Sequence, residues 1–172
     1  MAEKHIVRGI LAGVAGGLVA SWVMNDFSGT LGQKLSKAVE TPAEQRLLEM
    51  KSDGEDATMK VADKVVETVT GGRHLTHEQR EVGGPIVHYT MGAVMGGLYG
   101  GVAEYSSAAR AGFGTTFGGL LFASADLFGV PAMGFGMWPT QYPVSSLANP
   151  LAEHLVYGAT TELVRRLVRP IL

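Results

Sequence analysis

One stretch of this sequence limits the possible folds more than any other. Between Ala111 and Ala152, Asp126 is the only side chain with a formal charge. About 20 apolar residues are enough for a helix to cross the roughly 30 Å hydrocarbon core of a bilayer, so the stretch has room for two crossings. Prolines at positions 139, 143 and 150 interrupt it. The sequence therefore predicts two transmembrane helices here, at residues 111–136 and 150–168.

Two further apolar runs, residues 6–26 and 85–105, are also long enough to span a bilayer. No cleavage-site pattern follows the first run, so we expect it to be retained as a helix. The chain has 46% hydrophobic and only 17% charged residues, with 24 glycines among 172 residues. These features predict an all-α polytopic membrane protein with a single membrane domain, in which four transmembrane helices form a compact, glycine-rich bundle.

Residues 33–84 have a different composition, because they hold 8 of the 14 basic and 10 of the 16 acidic residues. Hydroxyl caps with a glutamate or glutamine three residues later, at Thr41 and Thr76, predict two helix starts. An apolar stripe after residue 57 predicts another helix between them. We expect the last of these helices to be short and to stop at Gly83-Gly84, ahead of the second span. The segment is therefore predicted to be an extramembrane helical insertion.

Glycines recur four positions apart in the predicted spans. A glycine face lets two helix backbones approach closely, which is one way in which helices associate in lipid. We interpret these positions as helix-packing sites, and a glycine zipper that lines an oligomeric pore is the alternative. The glycines are Gly9, Gly13, Gly17, Gly92, Gly96, Gly100, Gly114 and Gly118.

Basic residues flank one side of the predicted bundle. Lys4, Arg8 and Arg110 lie there, together with the arginines that end the last helix. The connection at residues 138–149, on the other side, has no basic residue. Because basic residues favour the cytoplasmic side, we predict that both termini lie in the cytoplasm and that the 33–84 insertion lies outside it.

Five titratable side chains fall in the outer halves of the predicted spans: Asp26, His88, Asp126, Glu153 and His154. An ionisable residue inside a span is a functional candidate, because burying it unpaired is costly. Imidazole and carboxylate together suit a divalent metal of unknown identity, a proton relay, a polar headgroup or a quinone oxygen. The alternative is that each side chain only bonds a neighbouring helix. Asp126 lies deepest, and we expect His88 or His154 to be its partner.

Two glutamates at the cytoplasmic end are expected to form interfacial ion pairs. Glu162 has arginines three and four residues later on the same helix, which is the spacing of neighbours on a helix surface. Glu104 ends the second span, where Arg8 or Arg110 is the expected partner.

Four short motifs follow one another in the last third of the chain. They are Gly118-Gly119-Leu120, Pro131 to Phe135, Glu153 to Tyr157 and Glu162 to Arg166. Weaker support comes from Val87-His88-Tyr89. In order and spacing these motifs resemble the small bacterial inner-membrane proteins of the YagU family. The resemblance implies a location in a bacterial inner membrane and a few membrane spans with a polar segment after the first. It implies no catalytic residue, because the function of that family is not established.

Motifs for enzyme chemistry are missing from the sequence. There is no nucleophile–base pairing, phosphate-binding loop, zinc spacing or haem motif, and a chain without cysteine forms no thiolate metal site. A net charge of -2 gives no basic field for nucleic acid. We expect a non-catalytic structural or accessory protein without a cofactor, which packs in the lipid bilayer as a homo-oligomer or with other membrane subunits through its glycine faces. The alternative is a small ion, proton or solute transporter or channel that uses the outer histidine and carboxylate cluster.

Overall fold

The computed structural model describes residues 5–172, and every regular element in that part of the chain is helical. The prediction of an all-α protein is confirmed at that level. The α-helices are α1 (Ile6–Phe27), α2 (Gln33–Val39), α3 (Pro42–Lys51), α4 (Ala57–Thr70), α5 (His77–Tyr105), α6 (Thr115–Leu121), α7 (Val130–Ala132) and α8 (Ala148–Val168). Two π-helical turns, Ser28–Gly32 and Phe122–Gly129, join α1 to α2 and α6 to α7.

Two of the described helical segments are long and apolar enough to cross a bilayer. They are Ile6–Val39, which combines α1 and α2, and Ala108–Ala132, which contains α6 and α7. The first segment therefore continues well beyond the end predicted at residue 26. Lys4, which the predicted orientation uses, lies outside the described residues.

Helix α1 is central, because it packs against both α5 and α8, while α6 packs against α8. The α1–α5 pair is antiparallel: Gly13 lies against Gly96, and Gly17, one turn further along α1, lies against Gly92. These are backbone contacts, since a methyl group added to Gly13 would stand 2.1 Å from the Gly96 carbonyl oxygen. The same kind of contact occurs at Gly9, Gly100, Gly114, Gly118 and Gly158.

The helix starts predicted at Thr41 and Thr76 are confirmed, each with a reciprocal capping box. The stop predicted at Gly83-Gly84 is wrong, because α5 continues through both glycines and Pro85. These glycines face α4 instead: a methyl group on Gly83 would stand 2.8 Å from the Ala62 Cβ atom. Their small size is therefore required for close packing of α4 on α5.

The helix predicted at residues 111–136 begins later than expected. Gly112, Phe113 and Gly114 adopt positive φ angles of 60°, 56° and 85°, so the regular helix starts only at Thr115. Positive φ strains a residue with a side chain, and the Phe113 ring is held here under the Arg166 guanidinium, 4.6 Å from its centre. At the other end the helix stops at Ala132, one residue after Pro131, rather than at residue 136.

The two ends of the bundle differ in their charged residues, and we name them accordingly. At the arginine end, α1 begins and both α5 and α8 end, which brings Glu104 and Glu162 close to the arginines of α8. At the other end, Asp126 and His154 lie close together. Asp126 there lines an open cleft to which α2, α3 and the connection between α7 and α8 also contribute, so we name it the cleft end.

Candidate functional site

The arginine end contains a fully buried carboxylate that is completely paired. Glu162 is 0% exposed, and the Tyr99 hydroxyl donates a hydrogen bond of 2.8 Å to its Oε2 atom. Arg165 donates to both carboxylate oxygens at 2.7 and 3.0 Å, and Arg166 donates to Oε1 at 2.6 Å. The ion pair expected with the arginines three and four residues later is thus present, with a tyrosine from α5 in addition.

Glu104 joins the same network from the end of α5. Its side chain is 2% exposed, and it accepts a hydrogen bond of 2.7 Å from Nη2 of Arg169. Nη1 of Arg165 lies 3.7 Å away. The prediction that Arg8 or Arg110 pairs with Glu104 is therefore wrong. The spacing offered a signal for the correct one, since Arg169 follows Glu162 by two helical turns and lies on the same face.

At the cleft end, the structure brings together two of the five outer candidates. The Nδ1 atom of His154 lies 3.6 Å from Oδ2 of Asp126. The same nitrogen lies 2.9 Å from the Pro150 carbonyl oxygen. A carbonyl oxygen only accepts hydrogen bonds, so Nδ1 carries the proton and donates it to Pro150. His154 is therefore held in place by its own helix, with Asp126 beside its ring.

The other three candidates do not join this pair. Nε2 of His88 lies 3.3 Å from the Ser21 carbonyl oxygen, which links α5 to α1. Glu153 accepts a hydrogen bond of 3.0 Å from the Asn149 amide on its own helix. Asp26 is exposed at the end of α1. Within the described residues, no group of three histidine, aspartate or glutamate side chains is arranged to hold a metal ion.

Asp126 lines an open cleft of about 360 Å³ at this end. It lies in the π-helical turn Phe122–Gly129, and such turns are often found at functional sites. Glu40, at the end of α2, contributes a second carboxylate, and the wall also includes Phe122, Leu127, Val130 and Tyr142. Sequence reasoning missed Glu40, because only the fold brings the end of α2 to a cleft that is otherwise lined largely by residues 122–150.

Three further ionisable pairs lie around α4 and the start of α5. Arg80 donates to both oxygens of Glu55 at 3.0 and 2.8 Å, and His77 Nδ1 lies 3.1 Å from the same carboxylate. These hydrogen bonds, first from His77 and then from Arg80, lower the pKa of Glu55. The Glu55 contact in turn raises the pKa of His77. His74 bonds Asp63 at 2.9 Å, so both histidines fasten α4 to the start of α5.

Comparisons of this chain with protein-family models, with curated proteins and with solved structures give no match. The resemblance to the YagU family therefore stays a prediction that rests on the sequence motifs. The fold and the site together define a broad class: an all-helical protein in which two helical segments are able to span a membrane.

Proposed function

We propose that the chain is a non-catalytic integral membrane protein in which four helical segments cross the bilayer as one bundle. The observation that carries this proposal is a set of large apolar side chains that are exposed on all four segments, which we name the belt. A water-soluble protein rarely exposes large apolar patches, whereas lipid solvates them. The belt includes Leu11, Leu18, Trp22, Met91, Val94, Leu98, Leu120, Phe128, Leu163 and Leu167.

Helix lengths support four spans rather than two. At 1.5 Å per residue, the 22 residues of α1 and the 21 residues of α8 measure about 33 and 31 Å, close to the hydrocarbon thickness of roughly 30 Å. The part of α5 after Gly84 has a similar length. Both α5 and α8 have a lower mean hydropathy, α5 because of its glycines and its charged first turns, and α8 because of polar residues such as Glu162. Glu162 and Arg165 are buried in the bundle, where their polarity is compatible with a span.

The accessory role needs a surface that differs from the one predicted. Gly13, Gly17, Gly92 and Gly96 contact helices of the same chain, so these faces are not free for a partner. We propose that a second copy or another membrane subunit packs against the belt of larger side chains. Solute or proton binding at the cleft end is the second candidate function, favoured by the Asp126–His154 pair.

Reporter fusions in a bacterial inner membrane test the topology. Four spans place Ser107 and Leu172 in the cytoplasm, and Asp53 and Ser145 outside it. With only the two most apolar segments in the membrane, Ser107 would lie on the same side as Asp53, and this result would contradict the proposal. Purification in mild detergent tests the accessory role, which predicts an oligomer or a co-purifying subunit; a monomer that retains no partner would refute it.

A further inference from the structure

The arginine end carries more positive charge than its glutamates neutralise. We infer that this end binds the phosphate group of an anionic phospholipid, with Arg166 as the contact and Arg8 and Arg110 as supporting charges. The inference rests on the proposed four-span topology and is independent of the accessory role.

The charge imbalance follows from the residues that meet at this end. In the described part of the chain, five arginines lie there against the two glutamates of the buried network. Those two carboxylates are already occupied by arginines from α8, so they leave the remaining positive charge without a counterion from the chain. The five arginines are Arg8, Arg110, Arg165, Arg166 and Arg169.

Arg166 has hydrogen-bond donors that the chain does not use. Its Nε atom donates to Glu162 at 2.6 Å, and half of its side chain is exposed. Among the described residues, no acceptor lies within hydrogen-bonding distance of its two terminal nitrogen atoms. Because a guanidinium presents several N–H donors in a planar fork that fits a phosphate, most of these donors remain for an acceptor from outside the chain.

The surroundings of Arg166 are apolar and exposed, which favours a lipid over a free phosphate. Leu163 and Leu167 lie next to it on the same face of α8, and both belong to the exposed belt. The ring of Phe113, also exposed, packs under the guanidinium with its centre 4.6 Å away. A phospholipid can place its phosphate at Arg166 and an acyl chain along the two leucines, whereas inorganic phosphate gains nothing from them.

Two further arginines strengthen the positive field around this contact. Arg8 lies in the first turn of α1, and Arg110 lies three residues before Phe113 in the turn that follows α5. Both are exposed, and across residues 5–172 neither forms an ion pair with an aspartate or glutamate. Basic residues at a membrane surface attract anionic headgroups, and each one adds to the affinity.

Native mass spectrometry of the purified full-length chain in detergent tests the inference. The probes are phosphatidylglycerol and phosphatidylcholine with the same acyl chains; both have a phosphate, but the choline ammonium neutralises it. We expect phosphatidylglycerol to bind about fivefold more tightly, which is the effect of one basic residue beside an anionic lipid. Arg166→Gln should remove most of this preference. Arg46→Gln, which removes the same charge from an exposed position on α3, should retain it.

Equal binding of the two lipids to the wild type, or an unchanged preference in Arg166→Gln, would overturn the inference. A loss of the same size in Arg46→Gln would also overturn it, since net charge rather than this site would then decide binding. Displacement of phosphatidylglycerol by an equal concentration of inorganic phosphate would assign the site to a free phosphate instead.

Arg110→Gln provides a second variant, because its side chain has no ion-pair partner among the described residues and its loss should not disturb the fold. We expect it to weaken the preference in part, and if Arg166→Gln does not fold, full retention of the preference in Arg110→Gln is decisive against the inference. A missing preference in a protein with the four-span topology leaves the proposed function standing. Failure of that topology appears in the reporter fusions, whichever lipid is bound.

Discussion

The two ends of the bundle use the same carboxylate chemistry in opposite ways. At the arginine end, Glu162 and Glu104 are buried and receive hydrogen bonds from arginine and tyrosine side chains. At the cleft end, Asp126 is 36% exposed and has only the 3.6 Å contact with His154. A carboxylate that receives several hydrogen bonds from its own chain stabilises the fold, whereas Asp126 contributes much less to stability.

The largest expected effect is the difference in unfolding free energy between two variants, each with one carboxylate changed to an amide at one end of the bundle. Glu162→Gln removes the negative charge that holds Arg165 and Arg166, and it leaves the buried Arg165 with only the 3.7 Å contact to Glu104. Breaking a buried pair in this way costs about 3–5 kcal/mol. Asp126→Asn should change stability by less than about 1 kcal/mol, because no strong pair is lost there.

Reversible unfolding in mixed micelles measures both variants under the same conditions. Arg166→Gln is a useful companion, since its side chain is 50% exposed and its loss should cost much less than that of Glu162. Similar losses for Glu162→Gln and Asp126→Asn would remove the distinction between the two ends.

A smaller effect is expected from adding a methyl group to a glycine. In Gly13→Ala the new carbon would stand 2.1 Å from the Gly96 carbonyl oxygen, so α1 and α5 must separate, at a cost of about 1–3 kcal/mol. Gly29, towards the cleft end, has no atom within 4 Å of the added carbon. There the change should be neutral or stabilising by up to about 1 kcal/mol. Thermal unfolding of the two variants gives the comparison, and equal midpoints would argue against tight packing of α1 on α5.

The smallest expected effect is the pH dependence of the packing between α4 and the start of α5. The lowered pKa of Glu55 means that its contribution to stability is present above its ordinary value of 4.5 and is lost as the pH falls through the lowered value. The raised pKa of His77 means that its contribution is complete below its ordinary value of 6.5 and is lost as the pH rises through the raised value. Docking of α4 should therefore be most stable between about pH 4.5 and 6.5.

Amide hydrogen exchange in α4, corrected for intrinsic rates, checks this window, with α8 as the internal reference. The change in α4 protection with pH should become smaller in high salt, because these side chains are close to solvent. Protection of α4 that is constant from pH 4 to pH 9 would mean that the ion pairs with Glu55 contribute nothing to docking.

Features that depend on neighbours within one or two turns were predictable from the sequence. The capping boxes at Thr41 and Thr76 are of this kind, and so is the contact of Glu162 with the arginines of its own helix. For Asp126, the sequence offered His88 and His154 as partners, and His154 is the one that lies beside it.

Features that depend on long-range packing were not predictable. The Gly83-Gly84-Pro85 sequence is a typical helix stop, yet the glycines accommodate Ala62 and Met59 of α4 inside a continuous helix. Glu104 finds its partner 65 residues later, a pairing that competes with nearer arginines and is fixed only by the fold. The cleft itself consists of residues from segments far apart in the chain.

The central position of α1 has a consequence for biogenesis. Both of its packing partners, α5 and α8, are synthesised after it. In the four-span bundle proposed above, Ser21 and the glycine face of α1 would therefore meet lipid before they meet protein, and Glu104 would reach the membrane before its arginine donors are translated. The last helix would then supply both the final packing surface and the countercharge, and an unpaired carboxylate inside the membrane would mark a chain whose assembly is unfinished.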